Sequence, residues 1–245
     1  MAIVATMRIL LQPAFILHRR PYRNTSLLVE ALTWEHGRVG LVARGVRTSR
    51  SRLKGLLQPF IPLLLSWSGK GELLNLTAVE EAEKAIPIPP TRLFSGFYIN
   101  ELLLRLLQRH DPHAGLFKPY QQVLKALSTA ANEEAALRVF EKQLLKEIGY
   151  GLVLDSEVLT GAPIVANGVY RYILDRGPVA AEQAGPGIMI SGKSLLALRH
   201  EVIQDPLVLR ETKRLTRKAI ELHLQGRPLK TRAVVIASQR RRQAV

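Results

Sequence analysis

Between Pro13 and about Glu80 the apolar residues fall into five short runs, each closed by polar or glycine-bearing residues. The runs are AFILHRR at 14–20, SLLVEALTW at 26–34, RVGLVARGV at 38–46, FIPLLLSW at 60–67 and ELLNLTAV at 72–79. Their length, their branched aliphatic content and the turn signals Arg23-Asn24-Thr25, Glu35-His36-Gly37 and Ser68-Gly69-Lys70-Gly71 predict β-strands. Five strands in so short a stretch predict a small closed barrel of the OB type; an SH3-like barrel gives nearly the same pattern.

After Pro87-Ile88-Pro89-Pro90 the apolar period becomes helical, and no helix continues through such a proline run. The change divides the chain into a barrel domain over 1–82 and a mainly helical domain over 83–245, an α+β protein. Residues 92–109 are apolar nearly all round, with Leu93, Phe97, Leu104 and Leu107, which predicts a helix at the centre of a bundle. A second helix is predicted over 116–131, with Pro119 in its first turn. A third runs from an Asn132 N-cap to Gly149, with Leu137, Phe140, Leu144 and Ile148 facing inward. Residues 150–190 hold six glycines and three prolines and read as a small irregular insert, with a possible hairpin at Val169–Ile173. Helix resumes at Ser191, and Asp205-Pro206 starts a last long helix by placing a cap before a proline at the first helical position.

Composition then narrows the chemistry. The 245 residues are 47% hydrophobic, enough for packed cores. Cysteine is absent, which removes disulfides, thiolate metal sites and cysteine nucleophiles. No stretch is long and apolar enough to span a bilayer, and MAIVATMRILLQPAF lacks the basic-then-apolar order of a secretory signal. The expected location is the cytoplasm, and no membrane partner is expected.

Charge identifies the class of partner. The net charge of +15 favours a polyanion, and it is concentrated at the two ends: +6 over 1–82, +1 over 83–198 and +8 over 199–245. In the first region the candidates are Arg19, Arg20, Arg23, Arg44, Arg47, Arg50, Arg52 and Lys54, and over 44–54 arginine alternates with serine and threonine, a mixture that supplies charge and hydroxyl donors to phosphate oxygens. In the last long helix Arg210, Lys213, Arg214, Arg217 and Lys218 recur at helical spacing, on a face opposite Leu215, Ala219 and Leu222. Arg227, Lys230 and Arg232 follow, and Arg240-Arg241-Arg242 reads as a disordered tail. Of the barrel aromatics, Phe15, Trp34, Phe60 and Trp67 are expected in the core, with Tyr22 the best candidate to stack a base.

Signals for catalysis are weak, and the chain reads as a binding protein rather than an enzyme. His110-Asp111-Pro112-His113 has two potential metal ligands but no matching cluster elsewhere. Gly187–Ser194 satisfies the G-x-x-x-x-G-K-[ST] spacing of a phosphate loop, yet lacks the parallel α/β context and the later acidic residue that hold nucleotide and magnesium. The charge and the barrel alone would equally allow an RNA-binding or ribosome-associated module.

A resemblance separates these alternatives. Gly45-Val46-Arg47 followed by Ser51-Arg52-Leu53-Lys54-Gly55-Leu56-Leu57-Gln58-Pro59-Phe60 closely resembles a segment of the RecO family of bacterial recombination mediators. Phe15-Ile16-Leu17-His18, Thr25-Ser26-Leu27, Tyr98-Ile99-Asn100-Glu101-Leu102, Phe140-Glu141 with Leu144-Leu145, Gly149-Tyr150-Gly151 and Gly226–Arg232 are similar in the same order. The resemblance implies an OB barrel followed by a helical domain, binding of single- and double-stranded DNA, and annealing of complementary strands. It also implies a partnership with RecR in loading RecA recombinase onto DNA coated by single-stranded DNA-binding protein. On this reading the 44–54 arginines form a track for the DNA backbone, anchored to the core by Leu53, Leu57 and Phe60.

Many family members carry a four-cysteine zinc site after the Gly-Tyr motif. This chain has none in 155–170, so no zinc or other cofactor is expected and the segment must hold by its own packing. Family members also bind the acidic C-terminal tail of single-stranded DNA-binding protein through the helical domain, which needs an apolar pocket and a cation. Leu137, Arg138, Lys142 and Leu145 are the expected residues. Arg138 is the expected carboxylate partner, with pairing to Glu134 or Glu141 equally open.

Overall fold

The computed structural model describes residues 7–48, 51–129, 132–183 and 185–234. Five strands close into a barrel: β1 (Met7–Tyr22), β2 (Ser26–Thr33), β3 (Gly37–Ala43), β4 (Pro62–Gly69) and β5 (Leu73–Glu81), in the order β1-β2-β3-β5-β4. All neighbours are antiparallel except β3 and β5, and the short helix α1 (Leu53–Leu56) lies between β3 and β4. This is the expected OB-type barrel. The first strand begins at Met7, earlier than its apolar pattern indicates. Leu10 and Leu11 are both exposed, and Leu11 sits at φ 50° in a break of register with β4, so alternation fails where the strand bends. The bend lets β1 pair with β4 through its first half and with β2 through its second.

Ile16, Val29, Ala31, Val39, Leu41, Leu63, Leu65 and Trp67 fill the barrel. Every residue of β2 is buried, so its outer face is covered as well. The cover is formed by α2 (Leu93–Leu106) and α3 (Ala114–Ser128). Asn100 of α2 donates to the Leu17 carbonyl at 2.9 Å and accepts from the Tyr120 hydroxyl at 2.7 Å, while Phe15 meets the rings of Phe117 and Tyr120. Burial pushes the Tyr120 hydroxyl pKa up despite that bond. Helix α2 therefore packs on the barrel instead of occupying the centre of a bundle, and it leaves Phe94 and Phe97 exposed. Helix α3 starts at Ala114, which places Pro119 in the second turn.

By packing, the residues group into two compact units. One compact unit comprises residues 1–129 and 229–245; the other comprises 130–228. The proline run at 87–90 marks the change from strand to helix, whereas the packing boundary lies two helices later because α2 and α3 cover the barrel. Residues 229–234 rejoin the first unit through Glu101, whose carboxylate accepts the Lys230 and Thr231 amides and the Thr231 hydroxyl at 2.8–2.9 Å.

The second unit contains α4 (Glu133–Glu147), a sheet of β6 (Val169–Ile173), β7 (Gly177–Ala180) and β8 (Ile188–Ser191) in the order β7-β6-β8, and the helices α5 (Gly192–His200) and α6 (Pro206–His223). The insert is thus more regular than its glycine content indicates. Tyr170 and Tyr172 point to the same buried face, and their hydroxyls accept the amides of Val165 and Val153, pinning the preceding loop. The caps fall where expected: Asn132 accepts from the Ala135 amide and Asp205 from the Leu207 and Val208 amides.

Candidate nucleic-acid interface

In the first unit, the β1–β2 turn and the segment entering α1 are tied together by the cation that sequence placed at the centre of the basic run. The Arg47 amide donates to the Thr25 carbonyl at 2.9 Å, and its guanidinium donates to the carbonyls of Arg23 and Asn24 at 3.1 and 3.2 Å. A second tie runs from Arg19 to the Lys54 carbonyl at 3.2 Å. Val46 and Leu57 are fully buried in the barrel core, with Leu53 packed against them, so the loop between them is held at both ends. Phe60 is buried on the other side, where its ring occupies the space a side chain at Gly96 would need.

Around these ties Arg20, Arg23, Arg44, Arg52 and Lys54 are exposed, and Arg19 is half-buried. Arg50 lies outside the described residues. No acidic residue occurs between Pro13 and Val29 or between His36 and Gly71, so the segments that meet here bring cations and no acid of their own. Such an array favours phosphates, and carbonyl-anchored arginines fix its shape without reading bases. Tyr22 is half-buried with the Arg23 guanidinium 5.3 Å from its ring centroid. Phe15, Phe60 and Trp67 are core residues as expected; Trp34 is not, being 46% exposed with one side against Phe117.

Not every barrel cation contributes to that array. Glu30 is buried and pairs with Arg38 at 3.1 Å and with Arg109, while Arg38 also donates to the Leu104 and Leu107 carbonyls at the end of α2. Burial lowers the Arg38 pKa in spite of Glu30; the hydrogen bond to Glu30 raises that of Arg109 against its own partial burial. The cluster fastens residues 107–112 along β3, where the Asp111 carbonyl occupies the space a side chain at Gly37 would need. The His110–His113 motif belongs to this strap: the His110 amide donates to the Arg38 carbonyl, and His113 contacts Asp111 at 3.3 Å. Among the described residues no three acidic or histidine side chains gather as a metal site.

In the second unit Arg210, Arg214 and Lys218 are exposed along α6 and Arg217 is half-buried. Three members of the stripe have protein partners: Lys213 pairs with Glu134 at 2.5 Å, Lys218 with Glu221 at 3.0 Å, and Arg214 donates to the Met189 carbonyl. Burial opposes ionisation of Glu134, but the Lys213 hydrogen bond and charge outweigh it and hold the carboxyl below its usual range. Of the residues on the other face, Leu215 and Ala219 are buried and Leu222 is exposed. Arg227 is exposed in this unit, and Lys230 and Arg232 are exposed in the first.

The expected peptide pocket on α4 is closed. Leu137 and Leu145 are core residues, and Arg138 is 1% exposed and paired with Glu141 at 2.6 Å, while Thr216 donates to the other Glu141 oxygen. Lys142 donates to the Leu198 and Arg199 carbonyls at the end of α5 and pairs with Glu201. The i, i+4 spacing that brought Arg138 and Lys142 together aims them at α5 and α6, not at solvent.

The phosphate-loop spacing also has another origin. Ile188–Ser191 is extended strand, the Gly192 and Lys193 amides donate to the Gly168 and Ala166 carbonyls, and Lys193 pairs with Asp205. A side chain at Gly192 would collide with the Val165 carbonyl, and one at Gly187 with Arg171. Packing accounts for both glycines, and the amides that would cradle a phosphate are already bonded.

Comparison with known proteins agrees with this architecture. Residues 7–84 match the family model "Recombination protein O N terminal" and residues 90–233 match "Recombination protein O C terminal". The chain is 47% identical over 230 residues to the DNA repair protein RecO of Nitrosococcus oceani, covering 94% of each chain. It is 46% identical over 231 residues to that of Methylococcus capsulatus, covering 94% of this chain and 95% of the relative, and 47% identical over 230 residues to that of Coxiella burnetii, covering 94% and 99%.

Proposed function

The chain belongs to the RecO family of DNA repair proteins, and from this premise we propose that it binds single- and double-stranded DNA through phosphate contacts and anneals complementary strands. The observation that carries the reading is the Arg47 tie, which draws two acid-free loops into one cationic end of a closed barrel. Annealing needs both strands to be held close with their mutual repulsion neutralised and their base edges uncovered. Clustered arginines that contact only phosphates meet that requirement.

The proposal extends to the partners the family implies. With RecR, the protein helps load RecA onto DNA coated by single-stranded DNA-binding protein, whose acidic tail it engages. The exposed cations of α6, Arg210, Arg214 and Lys218, together with Arg227, Lys230 and Arg232, supply further phosphate contacts. No helix among the described residues is long and apolar enough to cross a membrane.

The test is annealing of complementary oligonucleotides coated with single-stranded DNA-binding protein. Wild type accelerates it, and the charge-reversed Arg20→Glu, Arg47→Glu, Arg52→Glu variant does not. A protein that leaves coated DNA untouched but binds RNA tightly refutes the proposal in favour of an RNA-binding role.

A further inference from the structure

The second unit holds a pocket of about 280 Å³ that none of the readings above uses. Gly149–Val153 and the β6–β7 turn, Leu174-Asp175-Arg176, form its walls, and Ala219 and His223 of α6 close its back. Of its three aromatic rings, Tyr172 is buried and the other two are stacked on each other. Tyr150 is 52% exposed, and its ring stacks on that of His223 with centroids 3.8 Å apart and planes 24° from parallel. The imidazole lies 3.9 Å from the Asp175 carboxylate and is itself mostly covered, so the pair is a backed platform rather than two loose rings.

The shape of the platform is built in from both sides. Gly149 adopts φ 88° at the end of α4, a conformation that turns the chain so that Tyr150 leaves the helix beside the pocket. Asp175 adopts φ 66° in the β6–β7 turn, which leaves it and Arg176 exposed at the rim. Lys146 is exposed, and the start of its stem lies along Gly151, one of the wall residues.

An exposed, backed aromatic face beside one carboxylate acceptor and two cations matches a particular ligand chemistry: a flat ring with polar edges attached to an anion. We propose that this pocket takes one unpaired nucleobase of a single strand, stacked on Tyr150, with Arg176 and Lys146 beside the flanking phosphates. Asp175 is placed to accept from an exocyclic amine at the base edge. Duplex DNA keeps its bases stacked internally and cannot use the site, so the pocket adds a preference for single strands to phosphate contacts that have none. The inference rests on the DNA-binding reading and deepens it.

The test uses an oligothymidylate carrying one fluorescent purine analogue, titrated with wild type, Tyr150→Leu and Tyr150→Phe, alongside a duplex of equal length. Wild type quenches the analogue on binding. Tyr150→Leu, confirmed as folded by its thermal transition, loses the quench and binds the single strand about tenfold more weakly with duplex affinity unchanged, and Tyr150→Phe restores both. Equal quenching and affinity for Tyr150→Leu overturn the pocket assignment alone, as does an equal loss on duplex. Absence of any DNA binding by wild type overturns the DNA-binding reading with it.

Discussion

The carboxylate of Glu101 accepts both the amide and the hydroxyl of Thr231, 130 residues further along the chain, at 2.9 and 2.8 Å. With the Lys230 amide bonded to its other oxygen, Glu101 caps the start of the helical turn that follows Leu229. Burial alone would raise the Glu101 pKa; these amide and hydroxyl donors, with Arg105 nearby, outweigh it and hold the carboxyl below its usual range. A depressed carboxylate stabilises the fold above its unfolded pKa, and that contribution is lost as pH falls through the folded value. Glu101→Gln should therefore cost about 1–2 kcal/mol near neutrality, a penalty that is constant above about pH 5 and shrinks in more acidic solution. Thermal denaturation of both proteins across that range measures the gap; a gap that widens on acidification contradicts the assignment.

Arg138, Glu141 and Thr216 form a buried polar chain between α4 and α6. Removing one member of a buried ion pair strands the other without solvent. Glu141→Ala is predicted to cost about 3–5 kcal/mol in urea unfolding, while Arg138→Met combined with Glu141→Leu recovers most of the loss. A Glu141→Ala penalty below about 1 kcal/mol would show that Arg138 reaches water in solution.

Gly192 and Lys193 can be separated from their nucleotide-binding look. Lys193 and its partner Asp205 are both solvent-accessible, so Lys193→Ala should leave the thermal transition nearly unchanged. Gly192→Ala must displace the Val165 carbonyl and should cost about 1–3 kcal/mol. Saturating ATP should not shift the melting temperature of wild type; a shift abolished by Lys193→Ala would instead show a working phosphate loop.

The barrel was legible in the sequence because each strand is a short apolar run between turn residues, and the caps were legible because Asn132 and Asp205 act on amides two or three residues away. What escaped was set by contacts distant in sequence. Glu101 reads as one acid in an apolar helix, and Arg38 and Arg109 as two more cations, until Glu30 and the end of α2 are brought beside them. On the α6 stripe the partner of Lys213, Glu134, comes from another helix, so its spacing along α6 does not show the pair. For Arg138 and Lys142 the period gave the correct face but not what covers it. The Tyr150–His223 stack joins rings 73 residues apart and left no local pattern.

The proposed grip of the Arg47-tied end of the barrel on DNA phosphates has a direct readout in salt dependence. Fluorescence anisotropy of a mixed-sequence single strand, titrated at several salt concentrations, tests it with wild type and with the Arg20→Glu, Arg47→Glu, Arg52→Glu variant. Wild type should bind tightly at low salt and lose affinity steeply as salt rises, and the variant should bind more weakly with a slope shallower by about two to three. A variant that matches wild type in affinity and slope would contradict it.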